Sequence, residues 1–226
     1  MARVVTLQRV YQLLFKAHGA QHWWPGDTPF EIMTGAILTQ NTAWSNVEKA
    51  IANLKRRRSL SPQAIIKAPP EDLAACLKPS GYFNIKTRRL KAFCAWYCAA
   101  GGYRKLHTME TGALRKALLA VKGIGPETAD DMLLYAFDRP VFVIDAYTRR
   151  LFARLGVIDG TEGYEHLRAL FEQTLAADAT LYNEYHALIV RHAKETCRVR
   201  PLCTQCGLRR VCRGSEQRDD RLDKRR

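Results

Sequence analysis

Four cysteines near the C-terminus, Cys197, Cys203, Cys206 and Cys212, fall in a Cys-x5-Cys-x2-Cys-x5-Cys pattern. Four thiolates in so short a loop can hold an iron–sulfur cluster or a tetrahedral zinc ion, and both use all four sulfurs. Disulfides are the weaker alternative in a reducing compartment, and the spacing by itself leaves cluster and zinc open. Arg198, Arg200, Arg209, Arg210 and Arg213 surround the cysteines and suit a phosphate partner. A second chemically promising stretch covers residues 121–150. It begins Val-Lys-Gly-Ile-Gly-Pro-Glu-Thr-Ala-Asp and ends Val-Phe-Val-Ile-Asp-Ala-Tyr-Thr-Arg-Arg. Gly123 and Gly125 tolerate backbone angles that other residues resist, and Pro126 suits a helix's first position, so a tight link between two helices is predicted. Amides at the start of the second helix form an anion site for which a DNA phosphate is a suitable ligand, with Lys122 beside it. Asp145 then brings a carboxylate to the start of the next helix, where it serves as a helix cap, a catalytic group, or both.

The elements that must position these groups read as helices throughout. Apolar residues at helical spacing predict a first helix over 4–17 and another from Pro29, capped by Asp27 or Thr28, with Phe30, Met33, Ile37 and Leu38 facing inward. A third carries Trp44, Val47, Ile51 and Leu54, and two short helices fall between 61 and 77. After a turn at Pro79-Ser80-Gly81, a row from Ile85 to Ala100 stops at Gly101-Gly102. Helices over 111–120 and 127–137 flank the hairpin, and 147–155, 164–176 and 181–194 continue the pattern. Only 141–144 looks strand-like, and four apolar residues do not establish a strand. The expected fold class is all-α, with about ten helices.

The 226 residues carry 36 Lys and Arg against 22 Asp and Glu, a formal charge of +14, which favours a polyanionic partner. No apolar run approaches the roughly 18 residues of a membrane span, and the N-terminus lacks the order of a signal peptide, so a cytoplasmic, DNA-associated protein is expected. Cys76, Cys94 and Cys98 read as buried free thiols. Gly123-Ile124-Gly125 faintly suggests nucleotide binding, but no strand precedes it and no third glycine follows.

Taken together, the hairpin, an aspartate 18 positions after Glu127 and the four-cysteine loop resemble the helix-hairpin-helix DNA glycosylases of the endonuclease III superfamily. The resemblance runs from Leu38-Thr39-Gln40-Asn41-Thr42 to Cys212. It implies a two-lobed fold. A central helical barrel over 30–137 carries the hairpin; a second lobe, from 1–29 plus 138–213, carries the catalytic Asp and a [4Fe-4S] cluster loop; a disordered basic tail covers 214–226. It further implies double-stranded DNA with a damaged base as the partner, a monomeric enzyme, base flipping, and hydrolysis of the N-glycosidic bond in base excision repair. Zinc remains the alternative to the cluster, and the first cysteine gap is one residue shorter than in endonuclease III itself.

By position in that family, Asp145 is the catalytic carboxylate. Gln40 and Tyr82 fill the vacated stack and wedge the opposite strand, and Lys122, Gly123 and Gly125 hold the backbone. Glu127 stands where the strand-cutting members have a Schiff-base lysine, so a monofunctional enzyme is expected. Trp24, Pro25 and Trp44 with Glu127 resemble the base pocket of the endonuclease-III-like 3-methyladenine DNA glycosylases; the alternative for the tryptophans is ordinary packing. Two rival functions remain: an endonuclease-III-type glycosylase and lyase on oxidised pyrimidines, and a non-catalytic DNA-binding module.

Overall fold

A computed structural model describes residues 5–23 and 26–215; Trp24, Pro25 and the tail from 216 onward lie outside the described residues. Side-chain caps set where many of the helices begin. Thr6, Thr28, Ser61, Glu110, Asp145 and Asp178 each accept a hydrogen bond from a backbone amide in the first turn that follows. Pro29, Pro62, Pro70 and Pro126 occupy first positions, where a missing N–H costs nothing.

The result is twelve α-helices and no strand among the described residues. In chain order they are α1 (Leu7–His18), α2 (Pro29–Leu38), α3 (Trp44–Arg56), α4 (Pro62–Lys67), α5 (Pro70–Leu77), α6 (Phe83–Ala99), α7 (Gly102–His107), α8 (Thr111–Leu119), α9 (Pro126–Asp131), α10 (Ala146–Leu155), α11 (Tyr164–Thr174) and α12 (Ala179–Glu195). The all-α expectation holds. No helix among the described residues is long and apolar enough to cross a membrane. By its contacts the chain divides into two compact units, one running from Trp24 to Arg139 and the other made of the residues up to Trp23 and from Pro140 onward.

In the unit from Trp24 to Arg139, α6 packs against α4 and α5, and α3 against α5. Met33, Ile37, Leu38, Val47, Leu54, Leu77, Leu90, Phe93, Leu114 and Leu118 are fully buried there. One cation joins them. Lys86 is only 1% exposed, and its Nζ donates to Leu38 O at 2.8 Å and Ser80 O at 2.6 Å, tying the end of α2 to the turn before α6. Burial, with Arg89 adding repulsion, holds its pKa down to about 8. The hairpin helices are pinned by a two-point ion pair: Arg115 Nε to Asp130 Oδ1 at 2.6 Å and Nη2 to Oδ2 at 3.1 Å. Beyond Asp131 the chain winds as a π turn over Met132–Ala136 instead of continuing the predicted regular helix. All five residues of that turn are buried, and turns of this kind occur as short interruptions within α-helices.

The other unit is organised around aromatic rings. Phe142 lies 4.4 Å from Phe171 by ring centroid, Phe152 lies 4.8 Å from Phe171, and the Tyr185 hydroxyl donates to Leu7 O at 2.7 Å. Residues 141–144 are buried and belong to neither a helix nor a strand. A side chain takes the strand's place. The Phe142 amide donates to Glu172 Oε1 of α11 at 2.9 Å, and Arg168 holds the other carboxylate oxygen at 2.7 Å. This buried strap delivers the chain directly to Asp145. Ser215, expected in the tail, is buried and donates to Cys212 O at 2.7 Å.

Gly123 is the tightest point of the hairpin. Its φ is +95°, and a Cβ there would fall 2.4 Å from Arg89 Cγ; Gly125 has a φ of −95° and would meet nothing within 4 Å. Gly123→Ala should therefore lower stability by about 1–2 kcal/mol, or about 2–8 °C in melting temperature. Gly125→Ala should lower it clearly less. Equal losses in thermal melts of the two variants would show that neither the positive φ nor the Arg89 stem constrains Gly123.

Candidate functional site

Between α8 and α9 the turn leaves Lys122 and Glu127 exposed, and the space in front of Gly125, the residue that opens α9, is empty of protein. Gln40 approaches the turn from the loop after α2. Its Nε2 donates to Gly123 O at 3.1 Å and to Thr128 Oγ1 at 2.9 Å, while its Oε1 accepts from Arg89 Nη1. Those two partners lie 83 and 88 residues away in the chain, beyond what local sequence spacing can announce.

Tyr82 stands out from this unit, 67% exposed, at a φ of +45° immediately after Gly81 at +68°. Two successive left-handed residues turn the chain sharply before α6 and present the phenol ring outward. Ile85, one turn on, is also exposed at 40%. Trp44, the first residue of α3, is half-buried, and its indole occupies the room left by Gly35 on α2: a Cβ at Gly35 would lie 3.1 Å from Trp44 Cη2. The other two pocket residues predicted from sequence, Trp24 and Pro25, lie outside the described residues.

In the other unit Asp145 caps α10. Its Oδ1 accepts from the Thr148 amide at 2.7 Å, its Oδ2 lies 3.5 Å from His186 Nε2, and its side chain keeps 13% exposure. Burial pushes the carboxyl pKa up, but the His186 ring and the Thr148 contacts outweigh that and hold it below the ordinary carboxylate value. The group stays ionised. His186 comes from α12, is itself buried, and was not singled out from sequence, where it looks like any helical histidine.

The four cysteines belong to this unit as well, and they line one cavity of about 200 Å3 with Arg154, Thr196 and Arg209. A single tetrahedral ion holds its four sulfurs within about 4 Å of one another. Among the described residues no three His, Cys, Asp or Glu donors converge at that spacing. Two helices hold the loop. From α10, Arg154 Nη1 donates to Cys197 Sγ at 3.3 Å and to Arg198 O at 2.7 Å, and Arg150 Nε donates to Cys197 O at 3.1 Å. From α12, His192 Nε2 lies 3.5 Å from Cys206 Sγ, and its Nδ1 pairs with His18 Nε2 at 3.0 Å. Burial and His18 bring the His192 pKa down to about 4, so its ring is neutral.

This order of parts, a hairpin with an open helix start, a buried strap, a helix-capping aspartate and a terminal cysteine loop, is that of a helix-hairpin-helix repair protein. The model of the HhH-GPD superfamily of base excision DNA repair proteins matches residues 34–177, so the chain belongs to that superfamily and is a base excision repair DNA glycosylase. It is 42% identical over 209 residues to MJ1434 of Methanocaldococcus jannaschii, a DNA repair glycosylase by inference, covering 91% of this chain and 95% of that one. Among solved structures, the Helicobacter pylori 3-methyladenine DNA glycosylase MagIII bound to 1,N6-ethenoadenine is 30% identical, with a TM-score of 0.70 over 82% of this chain and 96% of its own. A non-covalent endonuclease III–DNA complex shares the fold, with a TM-score of 0.81 and 20% identity over 96% of this chain and 99% of that one.

Because the His186 ring helps to hold the Asp145 carboxyl down, His186→Gln should let that carboxyl keep its proton to higher pH. The acid limb of a kcat/KM–pH profile for base release should then move upward. An unmoved limb would mean that the Thr148 contacts suffice.

Proposed function

We propose that this protein is a monofunctional DNA glycosylase that flips an alkylated adenine, 3-methyladenine in the first instance, out of double-stranded DNA and hydrolyses its N-glycosidic bond. Glu127 carries the reading. It is exposed at the second position of α9, where strand-cutting relatives place a lysine, and a carboxylate cannot form a Schiff base with the sugar. A 3-alkylated adenine is cationic. Glu127 and Trp44 are of types that attract a cation, and Trp24 and Pro25, assigned to the same pocket from the sequence, lie outside the described residues. The 30% identity to a 3-methyladenine glycosylase supports the same choice.

In the proposed reaction the bond from the sugar C1′ to the base breaks, and the cationic base leaves neutral with the bonding electrons. Positive charge develops on the sugar. The Asp145 carboxylate, ionised and fixed by its cap bond, stabilises that charge and orients the water whose oxygen bonds to C1′; the proton this water gives up passes to the carboxylate and on to solvent. Lys122, Gly123 and Gly125 are assigned to the DNA backbone, and Tyr82 to the opposite strand. Cys197, Cys203, Cys206 and Cys212 would hold a [4Fe-4S] cluster, whose iron–thiolate bonds close the loop that Arg150, Arg154 and His192 support.

A panel of duplexes containing 3-methyladenine, thymine glycol, uracil or hypoxanthine tests the substrate. The expected result is release of 3-methyladenine, lost about 100-fold or more in Asp145→Asn with duplex binding retained, and no covalent adduct on borohydride treatment. Release of thymine glycol alone, or a trapped adduct, would overturn the reading. For the loop, metal analysis should find iron with thiolate-to-iron absorbance; zinc in its place would refute the cluster.

A further inference from the structure

Lys86 is a buried ammonium without a carboxylate. Among the described residues no Asp or Glu pairs with it, and both of its acceptors are main-chain carbonyls, Leu38 O at 2.8 Å and Ser80 O at 2.6 Å. A charge taken out of water in this way is costly unless other polar groups meet it. Both carbonyls come from the ends of helical turns. Leu38 is the last residue of α2, and Ser80 is the last residue of the short 3-10 turn over Lys78–Ser80. Such carbonyls have no partner within their own helix and carry the negative end of its dipole, so one cation closes two helix ends at once.

Gln40 follows Leu38 by two residues and Tyr82 follows Ser80 by two residues, and these are the two side chains that the family resemblance sends into the duplex. Lys86 is fixed on the far side of Tyr82 as well, since its own amide donates to Tyr82 O at 3.0 Å. When the Gln40 amide enters the stack it leaves Gly123 O and Thr128 Oγ1, but the bond from Lys86 to Leu38 O involves only main chain on the loop's side and is independent of that exchange. We propose that Lys86 is a positioning residue for base extrusion: by bonding Leu38 O and Ser80 O together it fixes the separation of the two loop roots, so that Gln40 and Tyr82 enter the duplex as a pair. The proposal rests on the glycosylase reading above for the fate of the extruded base.

Single-turnover base release from two duplexes tests it, one with the lesion opposite thymine and one with the same lesion opposite a tetrahydrofuran abasic site. The lesion is the base that the panel above shows to be released, 3-methyladenine on the proposed reading. An unpaired base costs less to extrude, so the placing of the two side chains matters less there. Lys86→Met, which keeps the length of the stem and removes the donors, should slow release from the paired duplex by about 10-fold or more and from the abasic duplex by less than about 3-fold. In a Gln40→Ala/Tyr82→Ala background it should slow the paired reaction by no more than about 3-fold, because nothing remains to be positioned. Equal slowing on both duplexes would reduce Lys86 to a packing role and overturn the proposal, as would an unchanged paired rate or a full effect in the double-variant background. Should Lys86→Met fail to fold, as a thermal melt would show, Lys86→Gln, which keeps two donor hydrogens, decides by the same paired-to-abasic comparison. Release of a base other than 3-methyladenine leaves the comparison standing. Release of none by the wild type would end the glycosylase reading, and this one with it.

Discussion

A single carboxylate serves two masters in the unit that contains Asp145. Its Oδ1 closes the amino end of α10 on the Thr148 amide, and its Oδ2 faces the His186 ring. A helix cap of this kind contributes about 1 kcal/mol, and its bond fixes the side-chain torsions of the residue that makes it. The orientation of the carboxylate is thus set by secondary structure before any substrate arrives, which is what electrostatic stabilisation of a developing charge demands. The strap over 141–144 brings the same economy to the backbone. Its amide at Phe142 is satisfied by the Glu172 side chain, so this bond needs no neighbouring strand.

The hairpin follows a similar logic with different groups. Its helices are joined by the Arg115–Asp130 pair, its turn is propped by the Arg89 stem beneath Gly123, and the Gln40 amide bonds to both the turn and the start of α9. The buried Lys86 extends this order outward. By bonding Leu38 O and Ser80 O it joins the segment leading to Gln40 with the segment leading to Tyr82. A buried ammonium is costly unless its donors are met by carbonyl oxygens, and here at least two are.

What could be read from the sequence was local. Glycines and a proline in a row announce a hairpin turn, Thr28 and Asp145 announce helix starts, and apolar spacing gives the helices that pack on them. Gly101-Gly102 ends α6 as the sequence predicts, but the two glycines, both at positive φ, also turn the chain straight into α7, which the sequence does not announce. The groups that surround the functional residues were not legible. Arg89, Arg150 and Arg154 look like the solvated faces of helices, and His186 and His192 look like ordinary helical histidines. Each acquires its partner only through tertiary contact: Arg154 reaches Cys197 across 43 positions, and Gln40 reaches Thr128 across 88. Periodicity carries no information on pairings of that separation.

Two helices run from Asp145 to the cysteine loop. α10 starts at Asp145 and sends Arg150 and Arg154 into the loop, and α12 sets His186 against Asp145 and His192 against Cys206. Ten residues of α10 span about 15 Å. The loop and the carboxylate are in effect the two ends of one lever. Removing Arg154 or His192 at the loop end therefore takes support from the same two helices that hold Asp145 and His186 in place.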